Sequence, residues 1–328
     1  MALYRKLILL ATVMALGVVS LGAYVRLSDA GLGCPDWPGC YGHLTPHHAA
    51  GAIDAALAAQ PDGPVSHAKA WKEMIHRYFA GMLGVLVLAI AVMAWRLRGR
   101  TRGGPALPLG LLGLIVFQAL LGMWTVTWLL KPLVVSAHLL GGMATLSLLF
   151  WLALRERDPA GPAYHAPADH LRRAAAVGLL LVGAQIALGG WVSTNYAALA
   201  CTDFPRCQGA WMPAGMDFGH GFTLHRELGE TATGELLPFD ALVAIHWTHR
   251  VMALVVTLYL LALAWRLLRT PGYAGMGFAL AGVLALQVAL GISNVVFSLP
   301  LAVAVAHNTG AALLLSTLVF LNFRVRRR

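Results

Sequence analysis

The stretch WKEMIHRYFAGMLGVLVLAIAVMAW, residues 71–95, decides the fold. It is an apolar run long enough to cross a bilayer, yet it opens with Glu73, His76 and Arg77. Ionisable groups in lipid are costly and mark a functional site by default. Glu73 and His76 stand three apart and share a helix face. The design returns at residues 241–265, ALVAIHWTHRVMALVVTLYLLALAW, where His249-Arg250 takes the place of His76-Arg77. Two further apolar runs carry one histidine each, His138 and His307.

Composition agrees with a membrane protein. Of 328 residues 59% are hydrophobic and 12% charged, and the mean hydropathy is +0.70, more apolar surface than a soluble domain needs. Hydropathy gives eight candidate helices, at about 7–25, 71–95, 107–128, 133–152, 174–194, 241–264, 274–296 and 302–321. The expected class is therefore an all-α polytopic membrane protein. The net charge of +10 does not indicate nucleic acid, because arginines such as Arg96, Arg98, Arg155, Arg157, Arg266 and Arg326 cluster at ends and loops on one side of an eight-span chain. By the positive-inside rule that side and both termini are cytoplasmic, and the long loops 27–70 and 195–240 face outward.

The first span has the look of a signal peptide, with Arg5-Lys6 before an apolar run, but a copy of it lies inside the chain. Leu21-Gly-Ala-Tyr-Val25 matches Leu188-Gly-Gly-Trp-Val192, and the match runs without a gap to CPDWPGC (34–40) and CTDFPRC (201–207). His76 pairs with His249, Gln118 with Gln287, and His138 with His307. This implies two duplicated four-helix bundles, residues 1–155 and 173–328, joined by a Pro- and Gly-bearing cytoplasmic linker at 156–172. Each half enters and leaves on one side, as in a parallel repeat. Gln118 to Gly122, Gln185 to Gly189 and Gln287 to Gly291 share the pattern Q-x-x-L-G, and Val18 to Gly22 repeats it without the glutamine. Glycine at such positions serves close helix packing or the approach of a flat ligand.

Each of the four histidines lies a few residues past the outer start of its span, on the order of 10 Å below the surface. A single intramembrane histidine is ordinarily a hydrogen-bonded core residue or a proton relay. Four at one level, in duplicate, point to two pairs that ligate metal across bundle cores, and two neutral imidazoles are a familiar axial set for haem iron. Zinc fits less well, with only two such histidines per half and no thiolate at that depth. His43, His47, His48, His67, His220 and His225 in outer loops, and His165 and His170 in the linker, read as solvated.

Only the first half has a carboxyl group one turn from its ligand, since His246 stands where Glu73 would. Glu73 either transfers protons there or pairs with Lys72 or Arg77 and anchors the helix end. The first half would then do chemistry and the second hold an electron-transfer cofactor. Arg77 and Arg250 either take haem propionates in their guanidinium forks or snorkel to the interface. Cys34/Cys40 and Cys201/Cys207 read as two short disulfides on the oxidising face, serving as stiff turns or in redox exchange.

Together the two four-helix halves, the E-x-x-H-R helix at Glu73, His76 and Arg77, the H-R helix at His249 and Arg250, the single His138 and His307 and the paired loop cysteines resemble the haem A synthase family. The resemblance covers essentially the whole chain. It implies oxidation of the C8 methyl of haem O to the formyl group of haem A by two successive hydroxylations, for terminal oxidase assembly. It further implies haem b on His249 and His307, the substrate at His76 and His138, and Glu73 as the catalytic carboxylate. Implied partners are haem O, haem A, a haem O synthase and the oxidase assembly route. Some members of the family lack the cysteines, and His246 in place of an amide or non-ionisable residue departs from its pattern.

Two rivals remain. A dihaem b-type transmembrane electron carrier would place haems at both leaflets, whereas these four histidines lie near the outer one. A non-catalytic haem carrier or chaperone would not need Glu73 beside a ligand. The N-terminus shows no transit-peptide pattern, so the expected location is a bacterial inner membrane, multi-pass, among lipid, with the haem sites near the outer face; a homo-oligomer is left open.

Overall fold

Hydrogen bonding carries the helices further than hydropathy alone. The computed structural model describes residues 1–157 and 169–326, and these form ten α-helices: α1 (Ala2–Leu27), α2 (Ala50–Ala59), α3 (His67–Arg96), α4 (Ala106–Thr127), α5 (Pro132–Arg157), α6 (Asp169–Thr194), α7 (Phe218–Gly221), α8 (Phe239–Leu268), α9 (Ala274–Val296) and α10 (Leu301–Arg326). All but α2 and α7 are long and apolar enough to cross a membrane. At about 1.5 Å per residue each exceeds the roughly 30 Å hydrocarbon layer. The described residues contain no strand, only three isolated bridges. The protein is an all-helical, multi-pass membrane protein.

Five of the eight spans reach beyond their apolar runs at both ends because polar residues continue the helix. Ser66 caps α3, its hydroxyl accepting from the Lys69 N–H at 3.3 Å. Arg155 and Arg157 fill the last turn of α5, and Arg324 and Arg326 that of α10, where cations oppose the helix dipole. Helix also takes up both ends of the expected linker, and its residues 158–168, with His165, lie outside the described residues.

α1 packs on α3 and α5, and α4 on α3 and α5; α6 packs on α8 and α10, and α9 on α8 and α10. The two groups meet where α1 touches α10 and where α5 touches α6 and α10. One apolar core runs through both, with Ile8, Leu83, Val87, Leu149 and Leu152 joined to Leu260, Leu263 and Leu318. Exposed Val85, Leu180, Leu258 and Phe278 cover the outward faces, as a lipid-solvated surface requires. Polar contacts tie the seam: Thr309 Oγ1 donates to Ser20 Oγ at 2.9 Å, and Arg26 Nη2 donates to the Ser193 carbonyl at 2.6 Å while its guanidinium lies 4.1 Å from the Tyr196 ring centre.

The turns after α4 and α9 are alike. Leu129 and Leu130 have φ of 47° and 59°, and Ser298 and Leu299 have 54° and 61°. This left-handed pair costs roughly 1–2 kcal/mol per residue. Each turn includes an equivalent backbone bond, Leu130 N–H to Thr125 O at 2.8 Å and Leu299 N–H to Asn294 O at 2.7 Å. Between α6 and α8 the 195–238 segment is fastened by Arg226, buried at 3% exposure. It donates to Asn195 Oδ1 at 2.5 Å and to the Glu230 carbonyl at 3.3 Å, and burial pushes its pKa down. Lys131 pairs with Glu227 at 2.7 Å, linking the α4–α5 turn to that segment.

The division into core and lipid faces is testable on one helix. Leu260→Ala, at 0% exposure on α8, is expected to cost about 3 kcal/mol and to lower the thermal midpoint in detergent. Leu258→Ala, at 59% exposure, is expected to leave it within about 0.5 kcal/mol.

Candidate functional site

Each of the four intramembrane histidines rests its ring on a glycine of the neighbouring helix. A Cβ at Gly22 would lie 3.0 Å from His76 Cε1; at Gly122, 3.4 Å from His138 Cε1; at Gly189, 3.1 Å from His249 Cε1; and at Gly291, 3.0 Å from His307 Cε1. Carbon atoms prefer about 3.5–4.0 Å, so only a residue without a side chain admits these rings. The glycine pairs α1 with α3, α4 with α5, α6 with α8 and α9 with α10. The pattern Q-x-x-L-G thus turns out to be the ring's seat.

The four rings are half-buried, while Nδ1 of His76, His138 and His307 is fully shielded and has no hydrogen-bond partner. A buried unpaired nitrogen costs about 1–3 kcal/mol. His76 and His138 stand close enough for their charges to interact, and so do His249 and His307. Two pairs of half-buried imidazoles, with Nδ1 unpaired in three of the four, suit a metal with two axial nitrogen ligands, as haem iron has. A tetrahedral zinc site does not fit, because among the described residues no group of three or more His, Cys, Asp and Glu side chains converges.

Glu73 is buried at 4% exposure and engaged on both oxygens. Oε1 takes Arg77 Nη2 at 2.6 Å, and Oε2 accepts the Cys34 N–H at 2.9 Å. Arg77 Nη1 donates to the Asp36 carbonyl at 2.8 Å and the Gly39 carbonyl at 2.5 Å. The pair therefore clamps the Cys34–Cys40 disulfide loop onto the N-terminal end of α3. The same clamp recurs on α8, where His246 Nδ1 lies 3.3 Å from the Cys201 nitrogen and His246 Nε2 lies 3.2 Å from Arg250 Nε. Arg250 donates to the carbonyls of Asp203 at 2.8 Å, Arg206 at 2.9 Å and Cys201 at 2.6 Å. This loop closes with Cys201–Cys207, and the N–H groups of Gly209 and Gln208 hold the Asp203 carboxyl below the usual carboxylate range.

Both guanidinium groups are engaged by backbone carbonyls of the disulfide loops. A tight loop presents several carbonyls at once, and both guanidinium groups are taken up by them. Glu73 pairs with Arg77 at 2.6 Å, the partner expected if it anchors the helix end. The four cysteines form the two expected disulfides, and all are buried at 0–1% exposure, which bars a partner thiol while the loops are closed. His67 pairs with Asp54 and His220 with Asp217 on the surface.

The shared clamp makes a prediction. Glu73→Ala leaves Arg77 and the Cys34 N–H unpaired and is expected to cost about 3 kcal/mol, with faster proteolysis of the loop at 28–66. Glu73→His, which copies the α8 arrangement, is expected to recover part of that loss; equal loss in both variants would contradict the equivalence.

Comparison with known proteins agrees with this arrangement. The COX15-CtaA family model, described as cytochrome oxidase assembly protein, matches residues 5–319. The Heme A synthase of Shewanella oneidensis is 46% identical over 318 residues, covering 97% of this chain and 95% of that protein. The Heme A synthase of Halalkalibacterium halodurans is 28% identical over 97% of each chain, and that of a Caulobacter species is 31% identical over 96% of this chain and 94% of its own. With eight spans, paired histidines and a match of this extent, the chain belongs to the COX15-CtaA family of cytochrome oxidase assembly proteins.

Proposed function

We propose that this protein is a haem A synthase, oxidising the C8 methyl of haem O first to an alcohol and then to a geminal diol that loses water to leave the formyl group of haem A. The observation that carries the reading is the two facing pairs of glycine-seated histidines, in a chain that matches Heme A synthases over nearly its full length. His76 and His138 receive haem O as substrate, and His249 and His307 hold a haem b. When bound, that haem b supplies one-electron transfer.

The two bundles are the halves of a parallel duplication, 1–155 and 173–328. Support comes from the equivalent turns after α4 and α9, the equivalent clamps on α3 and α8, and the four matching glycine seats. With basic residues at the ends of α5 and α10, the termini lie in the cytoplasm of a bacterial cell and the histidines near the outer face of its inner membrane. Haem O synthase supplies the substrate, and terminal oxidase assembly takes the product.

Within the first half, Gly22 and Gly122 let the two imidazoles approach their helices closely. Arg77 and the Cys34 N–H orient Glu73, the proposed catalytic carboxyl group, one turn from His76. The clamped loop covers the outer end of α3 and limits water there.

Extraction and chromatography of haems from protein made in cells that supply haem O test this reading. Wild type is expected to yield haem b with haem A or its hydroxylated precursor. His76→Ala and His138→Ala keep haem b and stall at haem O; His249→Ala and His307→Ala lose haem b. Glu73→Gln, which keeps an acceptor for the Cys34 N–H, is expected to stall before the formyl product. Haem b alone at two per wild-type chain, without modified product, favours the electron carrier instead.

A further inference from the structure

On α3, Lys69 and Lys72 precede His76 by seven and four residues, so all three share one narrow helix face. Lys72 Nζ lies 5.2 Å from the centre of the Tyr24 ring on α1. Lys69 lines a cavity of about 250 Å³ whose wall also includes Arg26, Asp29, Asp62, Leu130 and Tyr196. Among the described residues neither ammonium has an ion-pair partner. Glu73, one turn from Lys69, is held by Arg77 and the Cys34 N–H, and Asp29 takes the Tyr196 hydroxyl at 2.9 Å. Cations in the first turns of a helix oppose its dipole, so neither the dipole nor a neighbouring carboxylate accounts for these two lysines.

The matching places on α8 are apolar. Leu242 and Ile245 stand seven and four residues before His249, and Trp191 stands where Tyr24 does. Ile245 and Trp191, at 1% and 6% exposure, join Val192 and Ala197 in a cluster against which Leu242 and Phe222 pack. α7 lies over this cluster: it packs on α8, and the Gly221 carbonyl accepts from Trp191 Nε1 at 2.8 Å. A Cβ at Gly221 would stand 3.4 Å from Ile245 Cγ1. The end of α8 before His249 is thus plugged with hydrocarbon, while the end of α3 before His76 has a cavity and two unpaired cations.

We propose that Lys69 and Lys72 bind the carboxylates of the haem that exchanges at His76 and His138, and that the apolar plug before His249 keeps the second haem in place. The proposal rests on the ligation reading above and deepens it by naming what holds the acid groups of the substrate. The guanidinium groups of Arg77 and Arg250 are engaged by loop carbonyls, which leaves the lysines as the cations of the His76 face. An ammonium on a flexible four-carbon stem can follow a carboxylate as it enters or leaves. Snorkelling accounts for a lysine at the end of a span, but not for the replacement of both by apolar residues at the same places of α8.

Titration of the purified protein, holding one haem b per chain, with ferric protohaem or with its dimethyl ester tests this, the added haem being followed by its absorbance. The ester has the same ring and iron but no free carboxylate. Wild type is expected to bind the free acid on the order of tenfold more tightly than the ester. Lys69→Gln combined with Lys72→Gln is expected to weaken binding of the acid by that factor and to leave the ester and the resident haem b unaffected. The comparison of acid with ester on wild type carries the test should the double variant fail to accumulate. Equal affinity for acid and ester in wild type, or a double variant that still binds the acid as wild type does, would overturn the proposal. So would equal loss of acid and ester in that variant, the result expected if the lysines serve a lipid headgroup or the fold alone. No second haem bound by wild type, or one bound equally well by His76→Ala, would instead defeat the ligation reading itself.

Discussion

The structure depends on the near-contact between four imidazoles and four glycine backbones. With ring carbons 3.0–3.4 Å from where a Cβ would be, each pair of neighbouring helices is drawn to the closest approach that its backbone allows. Membrane helices lack a hydrophobic drive to associate, so small residues and polar contacts fix their spacing. Here the same small residues fix where the functional rings stand. Packing and site are one arrangement, which is why a methyl group at any of the four glycines disturbs both.

The spans were legible because membrane hydropathy is a strong, additive signal: residues 71–95 and 241–265 differ from loop in nearly every position. The histidines were legible because an ionisable residue such as His138 or His307 stands out in an apolar run. The partners of Glu73 and Arg77 were not. An i,i+4 pair on one helix can be read from spacing, but the Cys34 N–H and the Gly39 carbonyl reach α3 only through the folded loop. A guanidinium near the end of an apolar span suggests a carboxylate partner, and a cluster of backbone carbonyls leaves no trace in side-chain identity. The Q-x-x-L-G pattern was visible as a repeat, yet its meaning lay in the residue opposite, on another helix.

The exchange of Glu73 for His246 preserves the clamp with unequal means. A carboxylate accepts from two donors at once, whereas a neutral imidazole has a single acceptor nitrogen. His246 therefore satisfies either the Cys201 N–H or Arg250, and Arg250 adds a bond to the Cys201 carbonyl at 2.6 Å that Arg77 has no counterpart for among its described bonds. The second loop leans on the arginine; the first is shared between arginine and glutamate.

That inequality has an electrical consequence. Over α3 the guanidinium of Arg77 pairs at 2.6 Å with Glu73, while Arg250 faces carbonyl dipoles and an imidazole, with the half-buried Asp203 carboxylate nearby. Asp36 occupies the matching place over α3, so the two rims differ by about one positive charge. In a low-dielectric surrounding such a difference acts over several ångströms. Counting these groups, the loop over α3 carries about one more negative charge than the loop over α8, so a charge beneath the two loops meets unequal fields.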